Sequence, residues 1–339
     1  LMGVEAEILD DSIAYLRIIT AGQLFQLMLA VTSAIVRGLG NTKTPMLYNA
    51  CLNVINVALN FLLIYSPRQG SLLGLSFPLW GAGMGVAGAA LASALATASA
   101  GAYILLSARR KNSALPVQWK MRWDSGLAKR VLRIAYPAAL ERAAINLGQM
   151  FFARMVSGQG VAAFAAHNQS IQVESLGYMP AYGFSAAATA LVGQGLGAKK
   201  PQEARRQGGR AVTLCLALLT AIGAGMYLLA PWLISLLTPD AEVRRIGAML
   251  IRICAFEQPF NAVSIVASGA LRGAGDTKVP FLYGLATMWG VRIPFAWLFG
   301  TALGFGVAGF WWAMVADLGV RSLLLYVRFH RGRWVHAKV

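Results

Sequence analysis

The sequence predicts an all-α polytopic membrane protein, and three observations lead to this fold class. The chain is 57% hydrophobic and only 13% charged, with a mean hydropathy of +0.58, whereas soluble proteins carry about 25% charged residues. Its apolar residues form nine segments, each near or above the roughly 20 residues that cross a bilayer as a helix. The basic residues gather in alternate connections between these segments, a pattern typical of membrane insertion.

The nine segments are predicted as transmembrane helices. In chain order they span residues 12–36, 46–65, 82–107, 131–157, 161–197, 211–237, 243–271, 281–300 and 305–327. The fifth is longer than a bilayer requires and contains Pro180, so we expect a kink there or an extension past the membrane surface. The same apolar content excludes a soluble globule and a disordered chain.

The positions of the basic residues predict the orientation of the protein. Of the 30 Lys and Arg residues, 21 lie on the side reached after the first, third, fifth, seventh and ninth segments, and only Arg68, Arg244 and Arg245 lie on the other. This bias predicts a multi-pass protein of the inner or plasma membrane with a cytoplasmic C-terminus. A nucleic-acid partner is not expected, because the charges recur at each alternate connection instead of forming one continuous surface.

An internal repeat predicts the domain organisation. RGLGNTKTP at residues 37–45 returns as RGAGDTKVP at residues 272–280, so that segments one to three correspond to segments seven to nine. Segments four to six have no such counterpart, and the chain is therefore expected to be a fragment of a twelve-helix protein that lacks about three N-terminal helices. Six helices per half predict two lobes related by a pseudo-twofold axis along the membrane normal, with a binding site between them.

Four regions follow from this organisation. Residues 1–107 are the remainder of the N-terminal lobe, 108–130 a cytoplasmic inter-lobe linker, 131–328 the complete C-terminal lobe and 329–339 a basic cytoplasmic tail. Each repeated motif predicts a helix end, a tight turn and a new helix start. These turns are either structural or hinges between moving lobes, and their candidate hinge residues are Arg37, Gly38, Gly40, Arg272, Gly273 and Gly275.

The doubled turn belongs to a set of motifs that together resemble the multidrug and toxic compound extrusion (MATE) family. The others are Ile134 to Pro137, Ala162-Ala163 with His167, Gly193-Gln194 with Gly197, and Trp289, Arg292 and Pro294. The resemblance implies a monomeric antiporter in membrane lipid that exports amphipathic organic cations or drugs in exchange for Na⁺ or H⁺, by alternating access and without another cofactor. The alternative is a flippase for a lipid-linked precursor, from the same wider class of twelve-helix exporters.

Ionisable groups inside membrane helices are the candidate site residues, because burying them there is costly. Glu141, Glu174, Glu257 and Asp317 lie well inside their predicted helices. The resemblance implies a cation site on the helices of Glu141 and Glu257, where a carboxylate would hold Na⁺ or a proton. The alternative for these two glutamates is a buried ion pair with an arginine such as Arg292.

Polar neighbours extend this candidate site. Asn146 and Gln149 follow Glu141 on one segment, and Tyr178 follows Glu174 on the next. Asp317 and Arg321 have the i, i+4 spacing of a structural ion pair, whereas His167 is either a helix contact or a proton relay. An enzyme is not predicted, because the scattered Cys and His residues form neither a nucleophile nor a metal set.

Overall fold

The computed structural model describes residues 6–38, 40–72, 75–108, 124–332 and 334. The chain divides into two compact units, Leu1–Arg122 and Trp123–Val339. Most of the predicted linker and of the predicted tail lies outside the described residues. The four predicted regions and the two-lobe arrangement therefore stay predictions.

The first unit contains three helices and one small hairpin. The helices are α1 (Ala6–Gly38), α2 (Lys43–Leu63) and α3 (Gly85–Ala108), which cover the first three predicted segments. Between α2 and α3, strands β1 (Arg68–Leu72) and β2 (Leu75–Leu79) pair antiparallel. This hairpin is not predicted from the sequence. It pairs backbone N–H and C=O groups within the long loop between α2 and α3.

The second unit is helical throughout its described residues. Its elements are α4 (Ser125–Ser157), α5 (Val161–Gly197), α6 (Pro201–Ser235), α7 (Ala241–Gly273), α8 (Lys278–Thr287), the π-helix π1 (Met288–Arg292), α9 (Ile293–Phe295), the π-helix π2 (Ala296–Ala302) and α10 (Gly306–His330). Each of the last six predicted segments overlaps one or more of these helices. The predicted helical architecture is thus confirmed, although the number of membrane crossings is a separate question.

Six helices in the described residues are long and apolar enough to cross a membrane: α1, α2, α3, α6, α7 and α10. They support a multi-pass membrane protein. The other three predicted segments fall outside this group for visible reasons. Charged residues such as Arg133 and Arg142 interrupt the apolar sequence of α4, and polar residues such as Gln169 and Gln172 interrupt that of α5. The segment at 281–300 is divided into short α and π stretches.

The π-helices follow from a proline in the eighth segment. Pro294 has no backbone N–H, so it cannot donate the usual hydrogen bond to the carbonyl one turn earlier. Directly before the proline, the amide of Ile293 donates to the carbonyl of Met288, five residues back instead of the usual four. A π turn contains an extra residue and is often found at functional sites. Here it ends at Arg292, which is buried.

Helix α7 is the central element of the second unit, since it packs against α5, α6 and α10. Small residues allow its close approach to α5. The hydroxyl of Thr189 donates to the carbonyl of Gly269 at 2.8 Å, and the hydroxyl of Ser185 donates to the carbonyl of Ile265 at 2.9 Å. A Cβ atom on Gly269 would lie 2.6 Å from the backbone oxygen of Ser185. These contacts fix α7 in the unit that holds the candidate site.

The repeated turns have the same backbone geometry in both units. Gly40 and Gly275 have φ of 88° and 82°, values that glycine adopts without strain. Their amides donate to the carbonyls of Arg37 and Arg272 at 2.9 Å and 3.0 Å, and the next residue bonds back to the fifth residue before it, which completes a Schellman motif. The structure therefore shows the predicted helix end, turn and helix start, whereas their role as hinges stays a prediction.

The side chain after each of these glycines differs between the units. In the first turn, Asn41 accepts a hydrogen bond from the amide of Thr44 at 3.1 Å and so caps α2. In the second, the buried carboxylate of Asp276 accepts from Arg328 at 2.7 Å and 3.0 Å. Arg328 lies near the end of α10. The second turn is thus tied by an ion pair to another helix of its unit.

The close packing of α7 gives a first prediction. The Gly269→Ala variant should lower the free energy of unfolding by about 1–3 kcal/mol, because the new methyl group overlaps the backbone of α5. Thermal unfolding of the purified protein in detergent measures the change. Gly225→Ala on α6 is the matched control, since nothing lies within 4 Å of its Cβ position. Equal unfolding temperatures for the two variants would contradict the packing described.

Candidate functional site

A cavity of about 500 Å³ lies within the second unit and is lined by α4, α5, α7, α8, π1 and α10. Five of the six predicted cation and substrate residues line it: Glu257, Glu174, Asn146, Gln149 and Tyr178. The sixth, Glu141, lies in α4, and its side chain is outside the described part of the structure. Residues predicted from three separate segments thus meet around one space.

The polar residues reach the cavity because they recur at helical spacing. On α5, His167, Ile171, Glu174, Tyr178 and Tyr182 all line it, at intervals of three or four residues that place them on one helix face. On α7 the same spacing aligns the lining residues Glu257, Asn261, Ser264, Ser268 and Arg272. The two stripes lie on neighbouring helices, since α5 packs against α7, and together they give the cavity a polar lining.

Glu174 and Glu257 form a pair of buried carboxyl groups in these walls. Their side chains lie within hydrogen-bonding reach of each other, and Glu257 has no exposed surface. Asn261 donates from Nδ2 to Oε1 of Glu257 at 3.1 Å. The second oxygen, Oε2, receives no N–H or O–H group from the described residues. Two carboxylates this close repel each other when both are ionised, so the pair is suited to hold a shared proton or a cation.

A cluster of one carboxylate and two guanidinium groups lies beside this pair. Asp317 accepts from Nε of Arg292 at 2.7 Å and from Nη2 of Arg321 at 3.1 Å. Arg321 also donates to the hydroxyl of Thr287 at 2.9 Å and to the carbonyl of Gly284 at 3.3 Å. The predicted contact between Asp317 and Arg321 is present, and its purely structural role stays a prediction. The sequence interpretation missed Arg292 as a partner, because it lies 25 residues away.

Arg292 connects the two groups. It donates to Asp317 and also interacts electrostatically with Glu174 and Glu257. The considered ion pair between Arg292 and Glu257 is not among the salt bridges of the described residues, since Asp317 takes the guanidinium. Arg252 precedes Glu257 on α7, and its guanidinium lies over the ring of Tyr227. The glutamate pair therefore keeps hydrogen-bonding capacity directed at the cavity.

His167 lies in the cavity wall, 2% exposed, and its contact defines its hydrogen-bonding state. Nε1 of Trp311 donates to Nδ1 of His167 at 3.2 Å. Because an indole N–H only donates, Nδ1 must accept, and a neutral ring then carries its proton on Nε2. This contact supports the helix-contact interpretation of His167. Nothing in the sequence spacing indicated Trp311 as its partner.

A second cavity, of about 680 Å³, lies within the first unit. Its lining residues are Thr44, Leu47, Tyr48, Cys51, Leu52, Ile55, Ser99, Ala100 and Tyr103, none of which is charged. Among the described residues, the cavity of the second unit is lined by the glutamate pair and by the arginines of the cluster, whereas the lining of the first unit's cavity is uncharged. We take that cavity as the candidate functional site.

The buried cluster gives a second prediction. Asp317→Asn should lower the free energy of unfolding by about 3–5 kcal/mol, because it leaves two guanidinium groups without a buried counterion. Glu203→Gln is the control, since the ion pair of Glu203 with Lys200 is 3.9 Å long and exposed, and such pairs contribute about 0–1 kcal/mol. Thermal unfolding in detergent compares the variants. A loss for Asp317→Asn as small as that of the control would exclude a stabilising role for the cluster.

Comparison with known proteins agrees with the predicted family. The family model MatE matches residues 1–62 and 137–298. The chain is 33% identical over 337 residues to a probable multidrug resistance protein NorM from Thermotoga maritima, covering 98% of this chain and 69% of that protein.

Two solved structures show the same fold. One is an outward-facing conformation of a multidrug resistance MATE family transporter of the MOP superfamily, with a TM-score of 0.85, 20% identity and coverage of 98% of this chain and 71% of that one. The other is a MOP superfamily transporter from Pyrococcus furiosus, described as having a binding pocket of reverse polarity that suggests a different function. It matches with a TM-score of 0.87 at 20% identity, over 99% of this chain and 73% of its own.

The family resemblance predicted from the doubled turn is therefore confirmed by the family model, by a relative of high coverage and by shared fold. These proteins are transporters and not enzymes. The chain belongs to the MatE family of membrane transporters.

Proposed function

We propose that the protein is a secondary active antiporter that exports amphipathic organic cations or drugs in exchange for Na⁺ or H⁺. The observation that carries this proposal is the buried pair of Glu174 and Glu257 at the cavity. One oxygen of Glu257 receives no hydrogen bond from the described residues, and both side chains line the space that a substrate would enter. The relative from Thermotoga maritima, named a probable multidrug resistance protein, supports the choice of substrate class.

Competition for the carboxyl pair would couple export to the ion. Two ionised carboxylates repel each other in a low-dielectric cavity, and Arg292 is already paired with Asp317, so the glutamate pair favours the binding of a proton or a cation. Either a proton or Na⁺ neutralises the pair and releases a cationic substrate, or the substrate's own charge replaces the ion. Glu141 on α4 is proposed to contribute to the same cation site. Since hydroxyl, amide and carboxyl oxygens surround the site, both coupling ions are chemically compatible with it.

The transport cycle would proceed by alternating access between the two predicted lobes, with the repeated turns as hinges. The excess of Lys and Arg at alternate connections supports placing the C-terminus and the turns of Arg37 and Arg272 on the cytoplasmic side. The protein would act as a monomer in membrane lipid, without a nucleic-acid partner. The transport cycle, the orientation and the monomeric state are parts of the proposal that go beyond the family assignment.

The second candidate function is a flippase for a lipid-linked precursor. Arg142 and Arg272 line the cavity, and neither forms a salt bridge with a described carboxylate. Such guanidinium groups suit a phosphate. Arg292 and Arg321, in contrast, are held by Asp317. The carboxyl pair makes drug export the better supported function.

A third prediction concerns the carboxyl pair. Cells that express Glu257→Gln should lose resistance to a cationic dye such as ethidium, because a permanently neutral amide does not exchange a substrate cation for an ion. Resistance should fall to that of cells without the protein, at equal amounts of protein in the membrane. Growth inhibition and dye efflux measure the effect.

Glu242→Gln is the matched control on the same helix. Glu242 lies exposed in the first turn of α7 and outside the cavity, so this variant should keep the resistance of the parent protein. Full resistance in Glu257→Gln, with normal expression, would rule out the proposed exchange at this pair.

A fourth prediction concerns the coupling ion. In proteoliposomes, ethidium transport should accelerate when one of two opposing gradients, of Na⁺ or of pH, is imposed. The gradient that accelerates transport identifies the coupling ion. An ionophore that collapses only the active gradient should remove the acceleration. Glu257→Gln should show no acceleration with either gradient. Transport that follows neither gradient in the parent protein would contradict antiport.

A further inference from the structure

Helix α7 exposes a face that takes no part in the candidate site. After its first turn and before Arg272, the helix has four exposed residues, Arg245, Met249, Arg252 and Phe256, and the others are buried or half-buried. Intervals of four, three and four residues place them on one side of the helix. We call these four residues the α7 stripe. None of them lines the cavity of the second unit, so the stripe is a separate surface.

Arg252 lies inside the apolar part of this helix and is exposed there. It follows the first residue of α7, Ala241, by eleven residues, which corresponds to about 16 Å along the helix axis. The helix is long and apolar enough to cross a membrane. Among the described residues, no carboxylate forms a salt bridge with Arg252. Because a charge in a membrane helix is costly without a partner, this guanidinium would be stabilised by an anion from outside the chain.

Three aromatic rings adjoin Arg252 on the surface. Its guanidinium lies over the ring of Tyr227 on α6, 5.9 Å from the ring centroid. Phe256 meets Tyr227 edge to face and stacks on Trp312 of α10, with centroids 5.9 Å and 6.0 Å apart. The three aromatic residues are between 44% and 53% exposed. A ring face attracts the guanidinium charge without neutralising it, so the surface combines an open positive charge with an apolar area that reaches from α6 to α10.

The order of charge and apolar surface along the stripe matches that of a phospholipid. Long side chains on a helix point towards its N-terminus, so the guanidinium of Arg252 reaches towards the end of the unit at which α7 begins. Tyr227 lies at this level, eight residues from Ser235 at the end of α6. Phe256 lies one turn deeper on α7. A phospholipid likewise places its phosphate near the membrane surface and its acyl chains deeper, and arginines on membrane helices direct their charge to that surface.

The internal repeat separates the charge from the aromatic surface. Its offset of 235 residues pairs Arg252 with Arg17 and Phe256 with Ala21. Arg17 is also exposed within the first unit, whereas the alanine at position 21 provides no ring. An exposed arginine is thus common to both copies, and the aromatic surface beside it is particular to the second. This difference is expected if the second arginine binds a ligand with an apolar part.

We propose that the α7 stripe binds an anionic phospholipid of the surrounding membrane. The phosphate binds the guanidinium of Arg252, whose planar fork donates two hydrogen bonds to its oxygens, and an acyl chain lies along Phe256 and Trp312. The nearest charged residue on the stripe is Arg245, whereas Glu242 is ten residues from Arg252, or about 15 Å along the helix. A headgroup without an amine, such as that of phosphatidylglycerol, therefore suits the site better than a choline headgroup. The predicted orientation places this end of α7 on the outer side of the membrane.

Trp312 is part of the proposed site and reports on it in this fifth prediction. Phospholipids with brominated acyl chains quench the fluorescence of a tryptophan that they touch. Each protein is measured with Trp312 and as its Trp312→Phe counterpart, and the difference in fluorescence isolates the signal of Trp312. Titration of the purified protein in detergent with brominated phosphatidylglycerol or phosphatidylcholine then gives a dissociation constant for each lipid.

The parent protein should bind phosphatidylglycerol about fivefold more tightly than phosphatidylcholine, the factor expected for one arginine close to an anionic lipid. Arg252→Gln should weaken the binding of phosphatidylglycerol about tenfold, because it removes a hydrogen bond to a charged group, and should bring the two constants together. Arg252→Lys keeps the charge without the planar fork, so its constant should lie between those of the parent and Arg252→Gln.

Arg17→Gln is the matched control. It removes the equivalent arginine of the first unit and should leave the quenching of Trp312 unchanged. Thermal unfolding without added lipid shows whether Arg252→Gln folds like the parent, and if it does not, Arg252→Lys decides the test. Inorganic phosphate, added as a competitor, separates a lipid from a soluble anion as the source of the phosphate.

Three results would overturn the inference. The first is an equal dissociation constant for the two lipids in the parent, or an unchanged constant for phosphatidylglycerol in Arg252→Gln. The second is displacement of the lipid by inorganic phosphate at the lipid's own concentration, which would assign the site to a soluble anion. The third is a dimer in detergent that Phe256→Ala dissociates, since a second copy of the chain would then cover the stripe. None of these results bears on the exchange at the carboxyl pair, which uses another face of α7.

Discussion

The arrangement of the second unit depends on one carboxylate that neutralises two arginines. Asp317 has no exposed surface and accepts hydrogen bonds from Arg292 and Arg321. Charges in such surroundings are stable only when they are paired and hydrogen-bonded. This requirement places π1 and α10 side by side and directs both guanidinium groups at the cavity wall. The cluster therefore defines one side of the site before any substrate is present.

The carboxyl pair has properties opposite to those of this cluster. Asp317 has several donors, whereas Oε2 of Glu257 receives none from the described residues. The first arrangement suits a permanent charge, and the second suits a charge that changes. Arg292 touches the first and interacts electrostatically with the second, so neutralising the pair changes the field at a rigidly held cation.

The internal repeat shows how one backbone plan supports two different units. Gly40 and Gly275 occupy equivalent turns with nearly equal φ, so the two copies of the repeat have the same backbone conformation there. Side chains at equivalent positions differ between the copies. The two copies of the repeated motif are 235 residues apart, so Glu257 corresponds to Gly22. A Cβ on Gly22 would lie only 3.1 Å from the Cβ of Ala94. In the first unit this position serves close helix packing, whereas in the second it faces a cavity.

The sequence by itself determined the membrane class, the positions of the helices, the repeated turns and five of the polar residues that line the cavity. It did so because hydropathy, helical spacing and the glycine turns are local properties of the chain. Only the tertiary structure decided which side chains bond to each other. The pairing of Arg292 with Asp317 instead of Glu257 depends on which helix faces are in contact, and so does the hydrogen bond from Trp311 to His167. Side chains distant in sequence compete for the same few buried partners, and packing selects among them.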